Sequence, residues 1–130
     1  MEAVSHQRAD RHHVRVRIIA TEQLLGRDVT DFGSHGFAVF PAARAAHVVI
    51  ASLKPDGIIG RHLAAVDQLL VVLSGEVLVE GDEREQERVG AGSGALWIAG
   101  ESHSTRALSD VRVVIIEAQG LAATFDYLSS

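Results

Sequence analysis

The chain has no cysteine, which excludes a disulfide framework, a zinc ribbon and a thiol nucleophile. Proline is scarce, at two residues in 130, and aromatic residues make up only 5%. No apolar run is long enough to cross a bilayer; the longest aliphatic stretches, 69–73 and 113–116, are a few residues each. Basic residues are in the minority, 12 against 17 acidic, for a net charge of −5. That balance argues against a nucleic-acid partner, which would want a basic face. The N-terminal segment is polar through Arg17 and lacks the apolar core of a signal peptide. The expectation is a soluble, cytoplasmic protein with no membrane partner. With 47% hydrophobic and 22% charged residues, the composition is that of one globular domain spanning 1–130.

What is abundant is glycine, twelve residues set at short intervals. Between the glycines lie short runs of Val, Ile and Leu, the pattern of strands. Val14, Val16 and Ile18 alternate with Arg15 and Arg17, which predicts a half-buried strand. Further strands are predicted at 36–40, 47–53, 68–73, 77–79, 95–99 and 111–117. Lys54-Pro55-Asp56-Gly57 predicts a turn, since Pro fixes φ at its second position. Only 21–25 and 121–128 have room for short helices. The charged stretch 80–88 holds five acids and two arginines, and its mixed signs read as a solvated hairpin tip. Many short strands with turns between them imply an all-β sandwich or barrel.

The seven histidines are the residues with the most chemistry to offer, because imidazole both ligates transition metals and titrates near neutrality. His6, His12 and His13 belong to the polar N-terminal segment and read as solvated. His35 sits between Ser34 and Gly36 in a predicted loop. His47 opens an apolar strand. His62 and His103 each follow a glycine-containing turn beside an apolar strand, and His62 would share a face with Ala64, Val66 and Gln68 if that segment stays extended.

On these residues the chain resembles the cupin family. The first cupin motif has a glycine, a His-x-His, a Glu and a closing glycine. Gly75 would close it, Gln68 stands at the Glu position, Ala64 at the second His, His62 at the first, and Gly57 or Gly60 at the start. The second motif corresponds to Gly92, Ile98 in place of Pro, Gly100, His103, and Ala107 in place of Asn. Together they span 57–107, with motif 1 at 57–75 and motif 2 at 92–107. The chain is also similar to small, single-domain bacterial cupins of actinobacterial type. Those carry Gly-Arg-His, Gln-Leu and Trp-x-x-Gly-Glu-x-His, here Gly60-Arg61-His62, Gln68-Leu69 and Trp97 through His103.

The resemblance implies a single-domain double-stranded β-helix, or jelly-roll barrel, holding a divalent metal (Zn, Fe, Ni or Mn). His62, Gln68 and His103 are the implied ligands, with His47, His35 or Glu101 as candidates for a fourth. Two of the family's metal positions have changed, so the remaining set brings no carboxylate and would bind metal less tightly. Glu101 is a candidate acid or base, or a support for His103. Trp97 is a candidate platform for a planar ligand. Arg61 would turn outward by strand alternation. Val66, Leu70 and Val72, with Trp97, are the expected walls of a substrate pocket. The expected function is binding of a small organic molecule by a metal-bearing barrel, as an oxygenase, isomerase or polyketide-cyclase-like enzyme. The alternatives are a non-catalytic ligand-binding or sensing module and a metal-free isomerase. By analogy with such barrels, a homodimer is expected, with the N-terminal strand segment 1–20 in the contact.

Overall fold

Short β-branched runs separated by glycine turns pair most readily as antiparallel hairpins. The computed structural model describes residues 16–36 and 38–126 and is built that way. Its strands are β1 (Arg17–Ala20), β2 (Arg27–Asp28), β3 (Ala38–Val39), β4 (His47–Leu53), β5 (Ile58–Leu63), β6 (Gln68–Ser74), β7 (Glu76–Glu80), β8 (Gln86–Gly90), β9 (Ser93–Trp97), β10 (Ser102–Ala107) and β11 (Val111–Glu117), followed by one turn of helix, α1 (Leu121–Thr124). A five-stranded sheet runs β1-β9-β6-β11-β4 and a four-stranded sheet runs β5-β10-β7-β8; β2 and β3 form a separate hairpin. Consecutive strands repeatedly cross from one large sheet to the other, which is the jelly-roll connection.

Side-chain alternation assigns each face. In β6, Leu70 and Val72 point between the sheets and meet Val77, Val79, Val89, Ala95, Val111 and Val113 in the main core. Leu69 and Leu96 point the other way and pack with Ile19, Leu121, Ala122 and Phe125, so α1 covers the outside of the five-stranded sheet. Each fully buried aliphatic side chain contributes about 1.5–3 kcal/mol relative to exposure, so both faces of β6 and β9 stabilise the fold. Asp67 ties α1 to the barrel. Its Oδ1 accepts the Ala99 N–H at 2.9 Å and its Oδ2 the Ala122 N–H at 2.8 Å.

Two register shifts matter. In the β10–β5 pair, His103 faces His62 but Thr105 faces Ile59, so Gly60 and Arg61 oppose the single residue Ser104. This is a β-bulge, and it resets which residues of β5 point inward. The other shift lies between Arg112 and Val113 of β11, against Ser74 and Val72 of β6. At the β6–β7 turn Gly75 has φ +85°, and a Cβ there would collide with the Asp110 carbonyl, so only glycine fits.

The runs 47–53 and 111–117 are strands from end to end, as their composition predicts. The polar strand β10 was not expected, nor was β5, whose glycine and charge read as a turn. Residues 86–88 of the expected hairpin tip belong to strand β8. The expected helix at 121–128 is a single turn, its last two residues lying outside the described ones; 21–25 holds a 3-10 turn over Thr21–Gln23. Of the expected N-terminal strand only residues 16–18 are described; β1 begins at Arg17, buries Ile19 and leaves Ile18 exposed where the alternation predicts Ile18 buried, and pairs with β9 of its own chain. His6, His12, His13 and Val14 lie outside the described residues. No described helix is long and apolar enough to cross a membrane.

Candidate functional site

The site forms at one end of the barrel from a row on each sheet. On the five-stranded sheet, cross-strand partners line up as His47, Glu117, Gln68 and Trp97, from β4, β11, β6 and β9. All four share strand parity with core residues of their own strands, such as Leu53, Val113, Leu70 and Ala95, and so sit on the inner face. On the four-stranded sheet the row is the His62–His103 pair. The Gly60–Arg61 bulge puts His62 on the same face as Ile59, which packs against the core. His62 and Gln68 therefore lie on the inward faces of opposite sheets, by way of a bulge, and not along one extended segment.

The rings meet. His62 and His103 have centroids 4.5 Å apart, and His103 and Trp97 4.6 Å apart. His62 is exposed, and its Nδ1–H donates to the Gly60 carbonyl at 2.7 Å, which leaves Nε2 as an acceptor. His103 is 1% exposed. Its Nδ1 lies 3.4 Å from the Glu101 carbonyl, and its Nε2 is buried with no hydrogen-bond partner. The indole Nε1–H of Trp97 is likewise buried without a partner. Buried polar groups are paired in the great majority of cases; here an unpartnered donor and an unpartnered acceptor lie on two rings in contact.

Burial holds the pKa of His103 below the usual imidazole value, and nearby His62 and Arg61 lower it further; the Glu101 carbonyl and the Glu117 carboxylate oppose this without reversing it. His103 is therefore neutral at pH 7. The unfolded chain binds a proton that the folded chain resists, so stability present above the ordinary histidine range falls as pH drops below about 6.5. Thermal melts of the wild type from pH 7.5 to 5.5 should show this fall, and His103→Phe should lessen it. An equal fall in both proteins would remove His103 as its cause.

The other predicted residues fall as follows. His47 is largely exposed on β4, with Nδ1 3.1 Å from Oε1 of Glu117. Glu101 is buried, and its Oε1 accepts the Ile98 N–H at 2.8 Å. That bond closes the turn before His103, so Glu101 supports the histidine through the backbone. Arg61 does turn outward, onto Glu80 Oε1 at 3.0 Å and the Gly81 carbonyl at 2.9 Å. Leu70 and Val72 have 0% and 1% exposure; they are the packed floor of the barrel rather than open pocket walls, while Val66 is half-buried. His35 is exposed in the loop after the Asp31–Gly33 turn. Ala64 is buried, and its N–H donates to the Glu101 carbonyl at 2.9 Å.

Glu117 is the residue that sequence reasoning missed. It is the one carboxylate in the inner row, beside Gln68 and close enough to His103 to act on its proton affinity. Its parity with Val111 and Val113 was the available signal. Among the described residues, no three His, Asp or Glu side chains gather as a ready metal cage. The donors that fit a cation are the two imidazole nitrogens, with the Gln68 amide and the Glu117 carboxylate in the facing row.

No protein-family profile matches the chain, and no curated protein does. Solved structures match. A Bacillus halodurans protein is 27% identical with a TM-score of 0.53, over 70% of this chain and 86% of its own. A conserved protein of unknown function from Streptococcus pyogenes is 25% identical with a TM-score of 0.55, over 59% of this chain and 67% of its own. An RmlC-like cupin with a double-stranded β-helix fold, from Methanocaldococcus jannaschii, gives a TM-score of 0.54 at 10% identity, over 60% of this chain and 73% of its own. The chain has the cupin fold.

Proposed function

We propose that this cupin binds a small organic molecule at the histidine end of its barrel, next to a weakly held divalent cation. The observation that carries the reading is the buried, neutral His103, whose Nε2 has no partner while its ring touches both His62 and Trp97. A cation there would be held by His62, His103 and Gln68, with charge supplied by Glu117. The chemistry it would bring is Lewis-acid polarisation of a bound oxygen. The chain's own groups do the rest. Trp97 is fully buried against His103, and its indole N–H, without a partner among the described residues, is the donor that a ligand reaching the ring pair would meet. Gln68 offers both a donor and an acceptor to orient it. Glu117, 3.1 Å from the imidazole of His47, is the carboxylate that the row presents to a ligand.

A second reading is a metal-free binding site or isomerase using the same histidines; the lack of a three-carboxylate-or-imidazole cage among the described residues favours it. Elemental analysis separates the two. Protein purified without tag or chelator, or reconstituted with Zn(II), Mn(II), Ni(II) or Fe(II), should hold near-stoichiometric metal. His62→Ala and His103→Ala should each lose it, with a lower melting temperature on metal removal only in the wild type. A wild type that stays empty after reconstitution overturns the cation and leaves the metal-free reading.

A further inference from the structure

A second candidate site lies toward the opposite end of the five-stranded sheet. Arg112 of β11 is cross-strand partner to Ser52 of β4 and to Ser74 of β6. The three form a hydroxyl–guanidinium–hydroxyl row on adjacent strands, with Lys54 just beyond the end of β4. All four line a hollow of about 390 Å³, together with Leu53, Asp110 and Val111. Five residues of β11 separate Arg112 from Glu117, roughly 17 Å along the strand, so this hollow is not the histidine site.

The charge here runs against the molecule as a whole. The chain carries a net charge of −5, yet two cations face this hollow against the single acid Asp110. Neither Arg112 nor Lys54 has an ion pair among the described residues, and the hydroxyls of Ser52 and Ser74 have no hydrogen bond there. By contrast Arg61, Arg88 and Arg106 are each matched to a carboxylate. A guanidinium fork flanked by hydroxyl donors, with a second cation two residues beyond the row, is the donor set that planar carboxylates and phosphates take.

We propose that this hollow is a binding site for a small organic oxyanion, a carboxylate or a phosphate monoester, separate from the barrel interior. Arg112 is the bidentate contact, Lys54 the supporting charge, Ser52 and Ser74 the orienting hydroxyls, and Asp110 a repulsive rim that limits affinity.

The test is an amide NMR titration of the full chain with sodium phosphate and, separately, sodium acetate, at ionic strength held constant with chloride. Saturable shifts are expected at 52–54, 74–75 and 110–112, with the amides around His62 and His103 unmoved. Arg112→Gln should weaken binding about tenfold or more, and Asp110→Asn should tighten it a few-fold. Arg112 and Asp110 are both exposed, so neither substitution should perturb the rest of the spectrum. Preference for phosphate identifies a phosphorylated ligand, and preference for acetate a carboxylate. Shifts no larger than those from chloride, or binding unchanged in Arg112→Gln, overturn the proposal.

Discussion

Asp67→Ala should lower folding stability by about 3–5 kcal/mol, a large share of the 5–15 kcal/mol typical of a domain. Each oxygen of Asp67 accepts one backbone N–H, from Ala99 after β9 and from Ala122 in α1, and the residue is only 8% exposed. Hydrogen bonds to a charged acceptor contribute about 1.5–3 kcal/mol each, and removing the acceptor leaves the donors unsatisfied. The loss also releases α1 from the outer face of β6 and β9, where Leu121 and Phe125 are buried. Asp67→Asn should recover less than half, because its amide nitrogen presents hydrogens to a backbone donor. Urea denaturation reads this directly. Arg88→Ala, at an exposed residue 3.1 Å from Glu76, should change stability by less than about 1 kcal/mol. A loss under about 1 kcal/mol for Asp67→Ala would mean the two bonds do not hold α1 as described.

Asp67 also shows where sequence reasoning stops. Its partners lie 32 and 55 residues away, and no local pattern announces them. Strands 47–53 and 111–117 were legible because a short β-branched apolar run bounded by turn residues is a local property. β10 was not, because its inward residues are His103, Thr105 and Ala107, only one of them apolar. A strand that turns polar side chains inward breaks the hydrophobic pattern where it builds a site. β5 hid for a related reason: Gly60 and Arg61 look like a turn and are a bulge. The motif residues His62, Gln68 and His103 were found because a family pattern marks their spacing. Glu117 lies outside that pattern, and its place beside Gln68, 49 positions earlier, follows from the β6–β11 register.

That register makes Glu117 the most informative residue for the proposed cation. Where the family pattern has a carboxylate, β6 carries the neutral Gln68; the next strand of the same row carries Glu117. The donor set of two neutral imidazoles and one amide leaves a divalent ion uncompensated, and Glu117 is the nearest negative charge in the row. At roughly 8 Å and an effective dielectric near 20, a unit pair attracts by about 2 kcal/mol, doubled for a divalent ion. Glu117 keeps 37% of its side-chain surface exposed, so solvent reduces this by about half. The remainder corresponds to about 10–100-fold in affinity. Glu117→Gln should therefore weaken Mn(II) or Zn(II) binding, measured by titration calorimetry, by that factor. Gln68→Glu alone should tighten it by at least as much. The double variant Glu117→Gln, Gln68→Glu decides whether charge or position matters: recovery of wild-type affinity or better means the carboxylate has moved one strand along the row with its function intact. Weak binding in the double variant would show that β11 places its charge where β6 cannot. Affinity unchanged in Glu117→Gln would separate Glu117 from the cation altogether and leave it as the partner of His47.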